Sequence, residues 1–244
     1  MIGGRRDELA TALAAARERV AVAERAAGRL EGEVTVLVVT KFFPATDVEH
    51  LLDLGVREFG ESREPEASRK ITQVRADRGD VVFDADMIGR VQRKKARSVS
   101  RWARRVHSID SIDLVDALGG AARRSLDDGE RTAPLGVLLQ MSLDGDPERG
   151  GLVESDLRGA ADRVADFADE LRLDGLMVIA PLGLEAGEAM ARAAGIRERF
   201  VADYPGAREL SAGMSGDLEQ AIAHGSTCVR VGTAIMGARP ILSP

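Results

Sequence analysis

A regular alternation of short β-branched segments with amphipathic helical segments runs along this chain, and it constrains the fold more than any other feature. The first of these segments, TVLVVTK at 35–41, is rich in β-branched residues and lacks an alternating polar face, which is typical of a strand covered on both sides. A helical segment follows each predicted strand after a short loop, as in βα units. The predicted strands cover residues 35–41, 57–61, 81–89, 104–110, 135–143, 173–180, 209–213 and 228–232.

Eight such units in succession predict a (β/α)8 TIM barrel, an α/β fold whose strands close on themselves. A charged, alanine-rich segment at residues 7–30 predicts an extra helix before the first strand. An open doubly wound sheet is the alternative for an alternating pattern. The number of units and the lack of a long insertion favour the barrel, so we expect residues 1–244 to form a single domain.

Composition argues against several kinds of site and partner. A net charge of −6 and a pI of about 5.3 disfavour nucleic acid. One cysteine allows no disulfide or cysteine metal cluster, and the three histidines are too scattered to suggest a metal site. The charged start does not resemble a signal peptide, and no apolar run is long enough for a membrane span. We therefore expect a cytoplasmic protein without a metal. We also expect a monomer, because no apolar helix face is left over to form a dimer.

Lys41 stands where the first buried strand is predicted to end. Of the chain's 34 basic residues only four are lysines, so lysine is used where arginine will not serve. One such use is Schiff-base chemistry, which needs an amine that can lose its proton. A lysine that merely extends from a strand end into solvent is the alternative.

Two glycine-rich loops follow the last two predicted strands, at residues 211–217 and 231–237. In a barrel, the loops at these positions often bind a phosphate through backbone N–H groups and a helix dipole. Each loop combines glycines with a hydroxyl residue at a predicted helix start, which favours that function. Ser215 is equally suitable as an ordinary helix cap.

Arg230 lies on the last predicted strand, between the two loops. Alternation along the strand puts it on the same face as Cys228, while Val229 and Val231 take the face that suits the helix layer. Arg230 is therefore predicted to point into the barrel. A buried guanidinium needs an acceptor, which would be either a ligand atom or a structural carboxylate such as that of Glu61. An amine, a phosphate site and an inward arginine together suit pyridoxal 5′-phosphate.

Seven segments, in order along the chain, carry a resemblance to a known family. They are VVTK at 38–41, FGES at 59–62, IGRVQ at 88–92, VHSIDS at 106–111, LLQMSLDGDPERGG at 138–151, LDGLMVIAP at 173–181 and LSAGMSGDLEQAIAHGSTCVRVGTAIMGARP at 210–240. Together they resemble the pyridoxal-phosphate homeostasis protein family, single-domain barrels related to the barrel half of alanine racemase. The resemblance covers nearly the whole chain, and its last segment is the most specific.

The resemblance implies a role in binding pyridoxal 5′-phosphate for each matching residue. Lys41 would carry the cofactor as a Schiff base, and Arg230 would face the pyridine nitrogen. Met214 would line the ring. The residues that would contact the phosphate are Ser211, Ser215, Gly232 and Thr233.

The chain departs from the usual family pattern at several positions. Ser62 and Arg63 replace an asparagine and a tyrosine, and Arg149 stands where lysine is common. Three further residues, Asp86, Met87 and Lys94, break the pattern of the motif that contains IGRVQ. These changes are expected to surround the open face of the cofactor. They would affect contacts with the ring more than the phosphate site.

The resemblance implies a non-catalytic protein that buffers pyridoxal 5′-phosphate inside the cell, or delivers it to apo enzymes. A racemase-like enzyme is the first alternative, but such enzymes carry a second, β-rich domain with an acid/base residue, and this sequence ends soon after its eighth unit. The only tyrosine and the only cysteine are also poorly placed to act as that acid/base residue. Tyr204 is predicted at the end of an outer helix, and Cys228 is predicted at the start of strand eight, at the wrong end of the barrel. A barrel that has lost its cofactor and acts through protein partners is the second alternative.

Overall fold

The computed structural model describes residues 4–146, 148–181 and 183–239. Within them, eight parallel strands close into a barrel in the order β1 to β8, which confirms the predicted (β/α)8 fold. The strands are β1 (Thr35–Val39), β2 (Glu58–Glu61), β3 (Asp84–Met87), β4 (Arg105–Ile109), β5 (Leu135–Met141), β6 (Leu171–Val178), β7 (Glu209–Ser211) and β8 (Cys228–Val231).

Nine α-helices lie within the described residues. The predicted extra N-terminal helix is α1 (Arg5–Ala26), and it packs against the helices at the other end of the chain. The helices that follow are α2 (Ala45–Asp53), α3 (Glu66–Asp77), α4 (Ala96–Trp102), α5 (Ile112–Asp127), α6 (Glu154–Ala165), α7 (Ala186–Asp203), α8 (Leu218–Ala223) and α9 (Thr233–Met236). No helix in these ranges has the length and apolar character needed to cross a membrane.

Side chains alternate between the barrel interior and the layer beneath the helices. Val229 and Val231 belong to the apolar cluster of the helix layer, as predicted. Leu37 and Val39 point inward, because a Cβ added to Gly60 would lie 3.4 Å from Leu37 and 3.3 Å from Val39. The interior of the barrel is therefore lined by alternate residues of each strand, as expected for this fold.

The barrel closes where β1 pairs with β8. Leu37 is aligned with Arg230, and Val38 is aligned with Val231. This register brings the first strand and the last strand side by side with their carboxyl ends at the same face. Because that face carries the active sites of barrel enzymes, residues from the two ends of the chain can form one site there.

Some predicted boundaries differ from the observed ones. The first strand, predicted to reach Lys41, ends at Val39, because the chain turns at Lys41 and Phe42 adopts a left-handed φ of 72°. Ser215 lies in a turn and does not cap a helix, since α8 begins only at Leu218. Both differences arise where the chain leaves a strand for a tight loop. The hydrophobic pattern of the sequence does not indicate where such a turn begins.

Candidate functional site

Lys41 lies in the exposed turn at the carboxyl end of β1. Its Nζ atom is 5.8 Å from the centroid of the Phe42 ring, and no carboxylate of the described residues lies within 4.0 Å of it. Phe42 also lies beneath two guanidinium groups, those of Arg63 at 5.2 Å and Arg239 at 3.9 Å from the centroid. The mouth of the barrel beside β1 is therefore cationic, and its lysine is available to a ligand.

Lys70 differs from Lys41 because it is held in a nearly buried ion pair. Its Nζ donates to the backbone oxygen of Thr40 at 2.8 Å and to Oε1 of Glu61 at 2.7 Å, and its side chain is only 10 % exposed. The Thr40 hydroxyl donates to the same carboxylate at 2.7 Å. Glu61 thus faces the helix layer and is not the partner of Arg230 that the sequence suggested.

Arg230 points into the barrel, as predicted, and is 5 % exposed. Its Nη1 atom donates to Oγ of Ser211 at 2.7 Å, and its Nη2 atom donates to the backbone oxygen of Val178 at 2.9 Å. Burial lowers the pKa of Arg230, but a guanidinium pKa starts so high that the group remains a cation. The structure therefore holds a buried, oriented positive charge next to β1.

The two glycine-rich loops meet beside Arg230. The backbone N–H of Ala234 lies 3.4 Å from Oγ of Ser215, so the turn after β7 contacts the first turn of α9. Gly213 makes its tight turn possible, because its φ is +90° and an added Cβ would lie 2.6 Å from Ala221. Gly232 lies directly after β8 and opposite Val39. A Cβ added to Gly232 would lie 3.4 Å from the Cβ of Val39.

Two arginines of α1 hold these loops in place. Nη1 of Arg19 donates to the backbone oxygen of Ser215 at 2.7 Å, and Nη2 of Arg5 donates to the backbone oxygen of Met236 at 2.9 Å. Each arginine is also bound by a carboxylate, that of Glu219 or that of Asp47. The N-terminal helix thus positions the loops that the sequence predicts to bind phosphate.

The predicted site residues are brought together in two groups. Met214 is 41 % exposed and lies on the loop with Ser215, and Thr233 is exposed at the start of α9. Ser211 differs from them, because it is fully buried and its hydroxyl contacts Arg230 and a ring nitrogen of His107. The structure thus places Ser211, the first residue of its loop, behind Arg230 and not at the contact between Ser215 and Ala234.

Comparisons with known proteins identify the family. A family model described as the alanine racemase N-terminal domain matches residues 12–240. A Mycobacterium tuberculosis protein named pyridoxal phosphate homeostasis protein is 49 % identical over 251 residues, which cover 98 % of this chain and 96 % of that protein. An Escherichia coli K12 protein of the same name is 35 % identical, with 96 % and 97 % covered. The chain belongs to the pyridoxal phosphate homeostasis protein family.

Solved structures agree with this assignment. PipY of Synechococcus elongatus, which has been solved with pyridoxal phosphate (PLP) bound, superposes with a TM-score of 0.77 at 29 % identity, covering 94 % of this chain and 100 % of that one. A protein of Bifidobacterium adolescentis gives a TM-score of 0.85 at 29 % identity, with 96 % and 97 % covered. Alanine racemase of Clostridium difficile shares the fold, with a TM-score of 0.63 at 14 % identity, and this chain covers 54 % of it.

Asp86, one of the departures from the usual pattern of this homeostasis family, lies inside the barrel and not on an open face. It is 1 % exposed and accepts hydrogen bonds from Arg104 at 2.9 and 2.8 Å and from Nε2 of His107 at 3.0 Å. Burial opposes its ionisation, but the bonds from His107 and Arg104 prevail and lower its pKa to about 2. The contact between Asp86 and His107 was not predicted from the sequence. The alternation that was applied to β8 would, if applied to β3, have placed Asp86 on the inward face of the barrel.

Replacement of Asp86 by asparagine is expected to remove pH-dependent stability. The pKa of about 2, against an ordinary 3.8, corresponds to roughly 2 kcal/mol of unfolding free energy at neutral pH. Because the folded-state pKa is lowered, this contribution is complete above about pH 4 and is lost as the pH falls through about 2. Urea unfolding of both proteins at about pH 7 and about pH 2.5 should show the difference shrinking in acid. An equal difference in unfolding free energy at both pH values would contradict the assignment of a lowered pKa to Asp86.

Proposed function

We propose that this protein binds PLP through a Schiff base on Lys41 and buffers or delivers it without turnover. The observation that carries the proposal is the pairing of β1 with β8. It sets Lys41, which has no carboxylate partner in the described part of the chain, at the barrel mouth beside a buried, oriented arginine. When bound, PLP supplies an aldehyde that condenses with a primary amine and releases water. The residues of this chain then bind and orient that aldehyde.

The chain's residues fit the parts of this cofactor. Lys41 supplies the amine, and Arg230 supplies a guanidinium whose remaining N–H groups face the pyridine nitrogen. Met214 would line the ring. The hydroxyls of Ser215 and Thr233 and the backbone at Gly232 would hold the phosphate, where the two loops meet. The cationic mouth formed with Arg63 and Arg239 favours an anionic ligand.

Ser211 was predicted to contact the phosphate, and its position supports a different role. Its hydroxyl accepts a hydrogen bond from Arg230 and contacts His107, and the residue has no exposed surface. We propose that Ser211 supports Arg230 from behind.

The surroundings of the site support a carrier over a racemase-like enzyme. Proton transfer at a substrate carbon needs an acid/base group within hydrogen-bond reach. Burial raises the pKa of the Cys228 thiol to about 12, and this residue lies at the amino end of β8. Tyr204 follows the last residue of α7 at the same end of the barrel, and its hydroxyl donates to Asp162 of α6 at 2.6 Å. Arg230 would also leave the ring nitrogen unprotonated, because a guanidinium does not readily give up its proton.

The proposal is tested by the absorption spectrum of the purified protein with added PLP, before and after borohydride reduction. We expect an imine absorbance near the visible edge, its loss on reduction, and a single reduced adduct that peptide mass mapping places on Lys41. Only four lysines are available, so the assignment is direct. A colourless protein that takes up no PLP would favour a cofactor-free barrel acting through partners.

Absence of turnover is a separate prediction. We expect PLP-loaded protein to convert no member of a panel of amino acids, whether by racemisation, decarboxylation or transamination, because we find no well-placed acid/base group besides Lys41 among residues 4–146, 148–181 and 183–239. Chiral chromatography of each amino acid after long incubation measures this. Steady conversion of any one of them at an enzyme-like rate, above about 1 per second, would favour the racemase-like alternative.

The proposal extends to the setting in which the protein acts. We propose a single-domain monomer of the cytoplasm, with PLP as its small-molecule ligand and apo PLP-dependent enzymes as its recipients. The exposed position of Lys41 supports delivery, because an incoming amine can reach it from the mouth of the barrel.

A further inference from the structure

A line of hydrogen bonds crosses the barrel interior behind Arg230. It runs from Arg230 to Ser211 at 2.7 Å, from Ser211 to Nδ1 of His107 at 3.0 Å, and from Nε2 of His107 to Asp86 at 3.0 Å. Arg104 closes the far end with two bonds to Asp86, at 2.9 and 2.8 Å. The line links β8, β7, β4 and β3, and Ser211, His107 and Asp86 are all at most 1 % exposed.

The chemistry of these groups fixes the direction of every hydrogen in the line. Asp86 is ionised, so it only accepts, and Nε2 of His107 must donate to it. Burial lowers the pKa of His107, so the ring is neutral and Nδ1 accepts. The Ser211 hydroxyl therefore donates to His107 and accepts from Arg230. Each donor points away from Arg230 and towards the carboxylate of Asp86.

A protonated His107 would break this order. Its Nδ1 would then donate to Ser211, whose oxygen would receive two donors while its own hydrogen lost its acceptor. The groups that bear on the ring are Asp86 and Ser211 by direct contact, with the positive charges of Arg230 and Arg105 acting against protonation. Asp86 favours protonation of the ring, but burial, with the two arginines, outweighs it and lowers the pKa of His107. The neutral ring thus follows mainly from burial and fits the bonding pattern.

Charge accounting connects Asp86 with Arg230. Within the described ranges no carboxylate lies within 4.0 Å of Arg230, so its direct partners are neutral. A buried cation without a counter-charge is costly. Asp86 is not needed to balance Arg104, which also pairs with Glu58 at 2.6 Å. Asp217 is a carboxylate whose charge acts on Arg230 from a distance. Asp86 reaches Arg230 through the hydrogen bonds of the line, because it fixes the tautomer of His107 and so the orientation of the Ser211 hydroxyl.

We propose that Asp86, acting through His107 and Ser211, is a positioning residue that holds Arg230 as an oriented cation facing the ligand. This inference rests on the proposed function for its ligand, an aromatic ring with an unprotonated nitrogen acceptor. Asp86 sets how firmly Arg230 can donate to that nitrogen. The carboxylate thereby influences the cofactor without touching it.

The first test needs no cofactor. In apo protein, ¹⁵N NMR of His107, assigned by its loss in His107→Gln, should show a neutral Nε2–H tautomer that is unchanged between about pH 6 and 8. The guanidinium signals of Arg230, assigned by their loss in Arg230→Lys, should be resolved in the wild type and averaged by faster rotation in Asp86→Asn. An Nδ1–H tautomer, or Arg230 signals unaffected by Asp86→Asn, would overturn the proposal.

The second test compares Asp86→Asn with Asp174→Asn. Asp174 is a matched control because it is also buried and bound by two arginines, Arg105 at 2.7 Å and Arg172, but has no bond to the line. Asp86→Asn should weaken PLP binding about tenfold and shift the imine absorbance, whereas Asp174→Asn should change neither. Equal effects of the two substitutions on binding and absorbance would show that Asp86 is only structural.

His107 offers a conservative variant that separates positioning from packing. Glutamine can reproduce the observed order, since its NH2 can donate to Asp86 and its oxygen can accept from Ser211. His107→Gln should therefore keep PLP affinity within about threefold of the wild type, while His107→Leu should lose about tenfold. The reverse ranking would overturn the proposal. Wild-type protein that takes up no PLP would end the proposed function, and the NMR test would then decide the positioning role alone.

Discussion

Replacement of Lys41 by alanine is expected to abolish the covalent uptake of PLP, with no imine absorbance and no borohydride-stable adduct. Lys41 is exposed at the mouth and has no carboxylate partner among the residues that the structure describes, whereas Lys70 is bound to Glu61 and to the backbone of Thr40. Lys70 therefore cannot take over without breaking a buried ion pair. The measurement is the absorption spectrum at saturating PLP, followed by mass analysis of the reduced protein.

Lys94→Ala is the matched control for this experiment. Lys94 is an exposed lysine near the start of α4, and its loss should leave both the absorbance and the adduct unchanged. Non-covalent binding to the Lys41→Ala protein should persist at reduced affinity, because the loops that contact the phosphate are untouched. An adduct of full yield on another lysine of the Lys41→Ala protein would contradict the assignment.

Removal of the hydroxyls of Ser215 and Thr233 together is expected to weaken PLP binding by about 100-fold. Each hydroxyl would donate to a charged phosphate, and a hydrogen bond of this kind contributes about 1.5 kcal/mol or more, so two contribute about 3 kcal/mol. Both residues lie where the two glycine-rich loops meet, as the contact between Ser215 and Ala234 shows. Titration followed by the imine absorbance gives the affinity, and Lys41 should still form the imine at high PLP concentration.

Pyridoxal, which lacks the phosphate, makes this prediction specific. The double variant should bind pyridoxal as the wild type does, so that the preference for PLP over pyridoxal falls by about 100-fold. The control is Thr46→Ala with Ser155→Ala, two exposed hydroxyls at the starts of α2 and α6. If the control and the test variant lost the same affinity, the two loops would not be the phosphate site.

The sequence predicted the parts of the site that local patterns encode. Lys41 was proposed because the first buried strand was predicted to end there, and Arg230 because alternation along β8 leaves it on the inward face. The barrel itself followed from repeated βα units, since each unit is a local pattern. Family resemblance then joined the two ends of the chain, and the pairing of β1 with β8 confirms that they are adjacent.

What the sequence did not reveal depends on contacts across the barrel. His107 was one of three scattered histidines, and its partners Asp86 and Ser211 lie on different strands. No spacing along the chain encodes a bond between β4 and β7, because it depends on strand tilt and register after closure. Glu61 was only one possible acceptor for Arg230 in the sequence analysis, and its observed partner is Lys70, which lies nine residues away on α3.

The pairing of β1 with β8 also determines when the site can exist. Lys41 is synthesised early and Arg230 almost last, so a chain emerging from the ribosome carries the amine long before it carries the arginine and the glycine-rich loops. Only closure of the seam between Leu37 and Arg230 assembles them. A ligand that contacts residues on both sides of this seam binds the closed barrel and not its open precursors. Such a ligand would therefore stabilise the barrel against separation of β1 from β8.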